Sequence, residues 1–310
     1  MPPNEQYTSA GRRSPASIAC TPKRLPRDCW ERAARKAREI NPMNFAPVHR
    51  LAQVMPDFAP TRERLAVVTT KYWGNQGVRL TVGFLDNPDS ATRRKILQNL
   101  NAWERTANVQ FVETNANAQV RIARIPDGFW SYLGTDIMDE SIRPDQPTMN
   151  LDAFTRFTED SEYIRVVRHE AGHTLGFPHE HMRAELIELI DREKAIDHFM
   201  RTQGWSRQEV INQVLTPLEE SSLLGTDNAE EDSIMCYQIS GDITVNGDPI
   251  NGGTDITESD AAFAGKIYPK PKPLELGVRD REVGGVPVAN DALTIEVTPG
   301  LTRINVKRVG

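Results

Sequence analysis

The sequence predicts an α+β fold for the central part of this 310-residue chain. Short segments with alternating apolar and polar residues cluster before and around one helical segment, and mainly helical patterns follow. Strands gathered in this way, without a regular strand–helix alternation, are typical of an α+β layer arrangement. The composition agrees, because 38% hydrophobic and 26% charged residues are ordinary values for a folded chain.

The composition also argues against several classes of protein. Three cysteines are too few, and odd in number, for a disulfide framework. No apolar run approaches the ~18 residues of a membrane-spanning helix. The net charge of -6 argues against general nucleic-acid binding. Residues 1–20 lack the apolar stretch of a secretory signal, so no signal peptide is visible.

Three regions are predicted along the chain. Residues 1–61 form an N-terminal extension, in which residues 1–39 are basic and contain one short helix near 28–39. A solvated basic tail and an inhibitory or docking segment are both open interpretations of this extension. Residues 62–269 form the main domain, and the prolines near residue 270 separate it from a small β extension at 270–310.

The first half of the main domain contains most of its predicted strands. Residues 79–84 alternate as a strand does, and residues 90–107 have helical periodicity with Asp89 or Ser90 as the cap. The further strands are predicted at 108–114, 118–125, 129–134 and 148–152. The second half begins with a helix at about 160–175. The remaining elements are helices at 185–203, 206–215 and 257–267, an acidic loop at 219–232, and a hairpin at 243–250 around Asn246-Gly247.

Four of the six histidines are clustered in one short segment. The chain there reads His169-Glu170-Ala-Gly-His173-Thr-Leu-Gly176-Phe-Pro-His179. On a helix, His169 and His173 lie one turn apart on the same face, so both imidazoles can bind one metal ion. Gly176 can adopt the left-handed conformation that ends a helix, and the chain then returns His179 to the same ion.

This segment predicts a catalytic zinc site. Three neutral nitrogen ligands and one open position are typical of a catalytic rather than a structural Zn²⁺. Glu170 follows the first ligand and can reach a water molecule in the open position. We therefore predict His169, His173 and His179 as metal ligands. Glu170 would be the general base and acid that takes the proton of water and delivers it to the leaving amine. Core or surface histidines without a metal are the alternative.

A second motif lies downstream, at residues 232–237 (DSIMCY). Together with the long histidine motif, Met235 matches the turn found in metzincins, where the thioether forms an apolar floor beneath the ligands. Taken alone, a methionine in a loop more often only fills the core. The histidine motif favours the first interpretation.

Over roughly residues 62–269, the chain resembles the astacin-like zinc metallopeptidases of the metzincin clan. Residues 176–183 (GFPHEHMR) are similar to the family's G-F-x-H-E-x-x-R, and residues 233–237 (SIMCY) look like its S-x-M-H-Y turn. Residues 131–134 (SYLG), followed by the strand at 148–152, also keep the family's order.

The resemblance implies a metzincin-type catalytic domain: a twisted five-stranded mixed sheet packed on helices, with an active-site helix and a Met-turn. It implies that Tyr237 is an additional, detachable zinc ligand that hydrogen-bonds the oxyanion of the transition state. A buried aromatic beside the turn is the alternative. An extended substrate would pair with the edge strand near 129–134. The family is largely secreted, so secretion is the expectation from resemblance, although no signal peptide is visible.

The chain also departs from the family pattern. The usual cysteines of the catalytic domain are missing, and Cys236 replaces a histidine of the turn, for which we favour a packing role. The family's propeptide supplies an aspartate to the zinc, but residues 55–58 do not match that motif. Asp57 and Cys20 are both hypotheses for a residue that blocks the zinc. The family role of Glu180, receiving the mature N-terminus, is not carried over.

Other polar residues carry weaker hypotheses. His181 and His198 are interpreted as surface or helix residues. A calcium site and a solvated acidic loop are both interpretations of the acidic residues before the Met-turn, and the loop is favoured. These residues are Asp227, Glu230, Glu231 and Asp232.

The sequence therefore predicts a zinc-dependent endopeptidase that binds one catalytic Zn²⁺ and acts on a protein or peptide substrate, without a nucleic-acid partner. A zinc-containing peptide-binding protein that has lost catalysis is the alternative, although the intact Glu170 disfavours it. A latent enzyme inhibited by residues 1–60 is a third hypothesis. Cleavage specificity, compartment and oligomeric state stay open.

Overall fold

A computed structural model gives the structure of the chain. The described residues are 20, 23–46, 62, 65, 69–179, 184–215, 232–236, 238–271, 293–295 and 306–308. The chain divides into two units, Met1–Pro271 and Lys272–Gly310. In the second unit, the strands Leu293–Ile295 and Val306–Arg308 pair in antiparallel orientation. The domain bounds predicted at residues 61 and 269 stay predictions.

A five-stranded mixed sheet lies at the centre of the first unit, which confirms the predicted α+β fold. Its strands are β1 (Val78–Phe84), β2 (Val109–Glu113), β3 (Val120–Ala123), β4 (Phe129–Ser131) and β5 (Met149–Leu151). Their order is β2-β1-β3-β5-β4, and only β4 runs antiparallel to its neighbour. Because β4 is the last strand on its side, its outer edge is not paired with another strand of this sheet.

The helix after β1 shows how local sequence sets the element bounds. Helix α2 (Ser90–Leu100) begins where the Asp89 carboxylate accepts hydrogen bonds from two backbone amides of its first turn. It ends earlier than the predicted residue 107 and continues as a 3-10 helix (Asn101–Arg105). The Asn101 side chain causes this change, because it exchanges hydrogen bonds with the backbone of Phe111 in β2.

The predicted helix at 160–175 is present as one continuous helix, which we call the histidine helix. Its parts are an α-turn (Asp160–Glu162), a π-helical stretch (Tyr163–Val167) and an α-helical part (Arg168–Thr174), labelled α3. Val167, Ala171 and Leu175 face the same apolar core as the inner residues of the sheet. The histidine helix therefore packs directly on the sheet.

Part of the N-terminal extension also packs on this unit. Helix α1 (Trp30–Ile40) follows a 3-10 turn at Arg27–Cys29, which confirms the short helix expected near 28–39. The side chains of Ala33, Ala34 and Ala37 are buried. This helix of the extension is therefore packed against the rest of the unit on its alanine face.

Two predicted elements in the second half are wrong in detail. The helix expected at 185–203 is two helices, α4 (Ala184–Ile187) and α5 (Arg192–Gln203). Asp191 separates them, because its side chain caps α5 by accepting a hydrogen bond from the Lys194 amide at 3.1 Å. The residue before it, Ile190, forms a bridge with Thr244.

The hairpin expected at 243–250 is also absent from the described residues. Instead, Ile239 pairs with Ile250 in an isolated bridge, and Gly241–Ile243 form a 3-10 turn. Tertiary packing explains the difference from the predicted hairpin, because the side chains of Ile239, Ile243 and Ile250 all lie in one apolar cluster with α5. The two last predicted helices are present as α6 (Arg207–Val214) and α7 (Glu258–Ile267). Among the helices described, none combines the length and apolar character that crossing a membrane requires.

Candidate metal centre

The three predicted ligands converge on one point inside the first unit. His179 Nε2 lies 3.1 Å from His169 Nε2 and 3.0 Å from His173 Nε2. All three side chains are buried. Two of the rings come from adjacent turns of the histidine helix, and the third returns after the helix has ended, as the spacing predicts.

The end of the histidine helix depends on Gly176, whose φ is 96°. This left-handed conformation lets the Gly176 amide donate to the His173 carbonyl at 2.8 Å and the Phe177 amide to the Gly172 carbonyl at 2.9 Å. A Cβ at position 176 would lie 3.1 Å from the Lys71 carbonyl oxygen. Only glycine combines this backbone conformation with this close approach.

The hydrogen bonds of the outer ring nitrogens show that this cluster fits a cation. His169 Nδ1 lies 2.5 Å from the Ile234 carbonyl oxygen, and His173 Nδ1 lies 2.8 Å from the Phe177 carbonyl oxygen. Carbonyl oxygens only accept, so each Nδ1 carries the proton and each Nε2 presents a lone pair in the neutral ring. Converging lone pairs repel one another unless a proton or a metal ion lies between them. Backbone carbonyls that hold the outer nitrogen are also expected of metal-binding histidines.

The electrostatic environment favours a neutral imidazole at His173. Burial lowers the pKa of His173 to about 4, so this ring is neutral at physiological pH and able to bind a metal. Glu170 lies next to His169 on the histidine helix and is fully buried. Burial raises its pKa to about 8, and the Cys20 thiol and Arg165 partly offset that rise.

Met235 packs beneath the histidine helix, at the place the Met-turn interpretation requires. It is buried, and a Cβ added at Gly172 would overlap its Sδ atom. Gly172 therefore lets the thioether approach the helix between the turns that carry His169 and His173. The contact supports an apolar floor beneath the ligands rather than remote core filling.

The turn that carries Met235 is fixed by Asp260, a residue absent from the sequence-based predictions. The Asp260 carboxylate accepts from Ser233 Oγ at 2.6 Å and from the Ile234 amide at 3.0 Å. It also closes a capping box with Thr257 at the start of α7. That Thr-x-x-Asp pattern before an apolar run was the available signal. Asp260 thus connects α7 to the carbonyl group that orients His169.

Cys20 is the fourth member of the cluster. Its Sγ and one nitrogen of each of the three histidines all lie within 4.8 Å of one another, and all four residues are buried. Burial raises the pKa of the Cys20 thiol, and the charge of Glu170 raises it further. Of the two residues considered as zinc-blocking groups, Asp57 lies outside the described residues.

Several of the residues singled out in the sequence lie outside the described part of the chain. They are Tyr237, Glu180, His181 and the acidic residues 227, 230 and 231. His198 is on α5, as expected of a helix residue, and lines a cavity beside the histidines. Cys236 is buried in the apolar cluster with α5, which agrees with a packing role.

That cavity has a volume of about 950 Å³. It opens beside His169 and Glu170 and extends to Phe199 of α5 and to Ile243. Its walls combine apolar side chains with polar ones such as Asp242, so it is suited to hold a side chain of a bound peptide.

Comparison with known proteins agrees with this geometry. The family model for astacin, which describes a family of peptidases, matches residues 67–240, more than half of the chain. Two solved structures of myroilysin are 29% identical to the chain. One has a TM-score of 0.59 and covers 65% of this chain and 97% of that chain. The other has a TM-score of 0.51, with coverage of 64% and 86%.

A curated relative supports the same class. Zinc metalloproteinase nas-27 of Caenorhabditis elegans is 27% identical over 133 residues, which are 42% of this chain. The match spans 28% of the worm protein, so the chain corresponds to less than a third of that relative.

The fold and the histidine cluster are those of the metzincin class, whose members are zinc metallopeptidases. Within that class, the chain belongs to the astacin family of peptidases. The predicted resemblance and the predicted zinc cofactor are therefore confirmed. The roles of individual residues belong to the proposal below.

Proposed function

We propose that the chain is an endopeptidase in which His169, His173 and His179 hold the Zn²⁺ and Glu170 is the general base and acid. The observation that carries this proposal is the buried convergence of three Nε2 atoms beside the carboxyl group of Glu170. Zinc supplies Lewis acidity, which lowers the pKa of water toward ~7 and polarises a carbonyl group.

Glu170 is suited to proton transfer by its surroundings. Within the described residues, neither of its carboxyl oxygens has a conventional hydrogen-bond partner, and the Cys20 thiol is the polar group beside it. A buried carboxyl group without partners costs stability, which is typical of a position kept for chemistry. Burial makes the Glu170 carboxylate more basic than an exposed one, which suits it to take a proton from the attacking water and release it to the leaving amine.

The substrate class follows from the edge of the sheet. An extended peptide can pair with β4 through main-chain hydrogen bonds, and one of its side chains can enter the cavity next to Glu170. By resemblance, Tyr237 would hydrogen-bond the oxyanion that forms at the scissile carbonyl. Export from the cell, by analogy with the family, stays a prediction.

The test compares two full-length chains that both carry Cys20→Ser, because the Cys20 thiol lies in the site. One has Glu170, and the other has Glu170→Gln. Each is loaded with zinc to one ion per chain and incubated with an unfolded protein substrate. We expect the Glu170→Gln chain to retain zinc and to cleave at least ~10³-fold more slowly, since the proton acceptor is lost.

Equal cleavage by the two chains would contradict the role of Glu170. The alternative function, a zinc-containing protein that binds peptides without cleaving them, makes a different prediction. In that case the zinc-loaded Cys20→Ser chain would bind members of a diverse peptide library, and mass spectrometry would detect no cleavage product.

A further inference from the structure

The carbonyl groups at the end of the histidine helix have partners of two kinds. The last carbonyls of a helix lack a partner within the helix, so each needs another donor when it is buried. Backbone amides of the next residues satisfy the carbonyls of Ala171, Gly172 and His173. The carbonyls of Thr174 and Leu175 instead accept hydrogen bonds from side chains that are distant in the sequence.

Two aromatic residues supply these donors. The Trp73 indole Nε1 donates to the Thr174 carbonyl at 2.8 Å, and the Tyr268 hydroxyl donates to the Leu175 carbonyl. The Trp73 amide also donates to the Tyr268 hydroxyl oxygen at 3.3 Å, so the two donors are connected. We call Trp73, which precedes β1, and Tyr268, which follows α7, the aromatic clamp.

The aromatic clamp is itself fixed to the sheet. The Tyr268 side chain is fully buried, and its carbonyl oxygen accepts from the Asn108 amide at 2.8 Å. The Asn108 carbonyl in turn accepts from the Val78 amide at 2.8 Å, at the start of β1. A buried hydroxyl group that both donates and accepts has one favourable position, so the clamp sets where the histidine helix ends relative to the sheet.

The clamp acts on the stretch of chain between two proposed zinc ligands, His173 and His179. Phe177 lies in this stretch, and its carbonyl oxygen lies 2.8 Å from His173 Nδ1. The ring of Phe177 packs against that of Tyr268, with 6.1 Å between the centroids. A shift of the helix end would therefore disturb the direction of His173 and the return of His179 together.

We infer that Trp73 and Tyr268 are positioning residues of the metal centre, which hold two carbonyl groups of the histidine helix so that His173 and His179 meet at one zinc ion. The inference rests on the proposed function and deepens it. Both residues act through the backbone rather than on the substrate. Loss of such support is expected to lower metal affinity, since outer partners hold the ligands in the geometry that the ion requires.

The first test compares Tyr268→Phe with Tyr163→Phe in full-length chains that carry Cys20→Ser. Each variant removes one hydroxyl group of a buried tyrosine that donates to a backbone carbonyl, and the partner of Tyr163, at the opposite end of the same helix, is Thr155 at 3.0 Å. Both should therefore lose similar stability in chemical denaturation. In chelator competition, we expect zinc affinity to fall about 10-fold in Tyr268→Phe and to stay unchanged in Tyr163→Phe.

The second measurement needs neither zinc nor substrate. Hydrogen exchange of the metal-free chains is followed by mass spectrometry on peptides that cover residues 174–179. The amides of Gly176 and Phe177 close the turn through hydrogen bonds, so they should exchange at least ~10-fold faster in Tyr268→Phe. In Tyr163→Phe they should exchange at the rate of the parent.

Trp73→Phe tests the other half of the clamp, and it decides the question if Tyr268→Phe does not fold. Phenylalanine keeps an aromatic ring but lacks the indole donor. Trp30→Phe is the matched control, because the Trp30 indole donates to the Leu25 carbonyl at 2.9 Å, away from the histidine helix. Trp73→Phe should weaken zinc binding and speed exchange in the turn, and Trp30→Phe should change neither.

Zinc affinity and exchange equal to the parent in the clamp variants would overturn the inference and leave the endopeptidase proposal standing. An equal loss of affinity in the control variants would also overturn it, because general destabilisation would then be the cause. Faster exchange without loss of affinity supports the clamp as a support of the turn and overturns its role for the metal. Failure of the proposed function appears separately, as a parent chain that neither binds zinc nor cleaves, and it removes the basis of the inference.

Discussion

Each of the two helix histidines is held by a backbone carbonyl, but the carbonyls come from different places. The partner of His173 belongs to Phe177, in the turn that ends the same helix, whereas the partner of His169 belongs to Ile234, far along the chain. The ligands are predictable from sequence because their spacing is local. The support of His169 and the position of Cys20 are not, since both depend on segments that only the fold brings together.

The buried carboxyl group of Glu170 should make the metal-free protein sensitive to pH. Its pKa is about 8 in the folded state and ~4.5 when unfolded, so the folded state binds more protons between these values. The contribution of Glu170 to the free energy of unfolding is therefore largest below pH ~4.5, and it falls as the pH rises toward 8. Glu170→Gln removes that loss, so the metal-free variant should gain stability over the parent by at most ~1.4 kcal/mol per pH unit in this window.

The measurement is chemical denaturation of both chelator-treated chains from pH 5 to 8. Glu162→Gln is the control, because the Glu162 carboxylate is only half-buried and pairs with Arg165. A stability difference that stays constant over this range would contradict the assignment of a raised pKa to Glu170.

At the scale of elements, boundaries set by local hydrogen bonds are predictable from sequence, whereas boundaries set by tertiary packing are not. Asp89 and Thr257 cap their helices through side-chain hydrogen bonds within one turn, and both helix starts agree closely with the prediction. The break at Asp191 and the loop with Ile239 and Ile250 differ from it. The sequence keeps its helical periodicity through Asp191, so periodicity does not reveal the break there. In the loop with Ile239 and Ile250, packing in the apolar cluster around α5 overrides the turn preference of Asn246-Gly247.

The Met-turn should depend on its attachment to α7. Asp260→Asn weakens the bonds to Ser233 and the Ile234 amide, so we expect the free energy of unfolding to fall by ~1–3 kcal/mol. Zinc affinity should fall ~10–100-fold, because the Ile234 carbonyl orients His169. Denaturation and chelator competition measure the two effects. Glu258→Gln, an exposed position in the same first turn, should change neither, and an equal loss there would refute the specific role of Asp260.

At the scale of the whole molecule, the site is assembled from distant parts of the chain. The histidine helix supplies two ligands, the turn after Gly176 supplies the third, the Met-turn lies beneath them, and Cys20 enters from the N-terminal segment. Sequence alone reveals the class of the site, because the ligand spacing is compact. It leaves the N-terminal segment undecided between a tail and an inhibitor, since the choice depends on packing against β4 and Asp139.

The most direct test of the metal centre is zinc affinity, measured by chelator competition on full-length chains that carry Cys20→Ser. His179→Ala should weaken zinc binding at least ~100-fold, because it removes one of three ligands. His198→Ala, a histidine on α5 outside the cluster, should leave the affinity unchanged. Equal affinity of the His179→Ala chain and its parent would contradict the three-histidine centre on which the proposed peptidase rests.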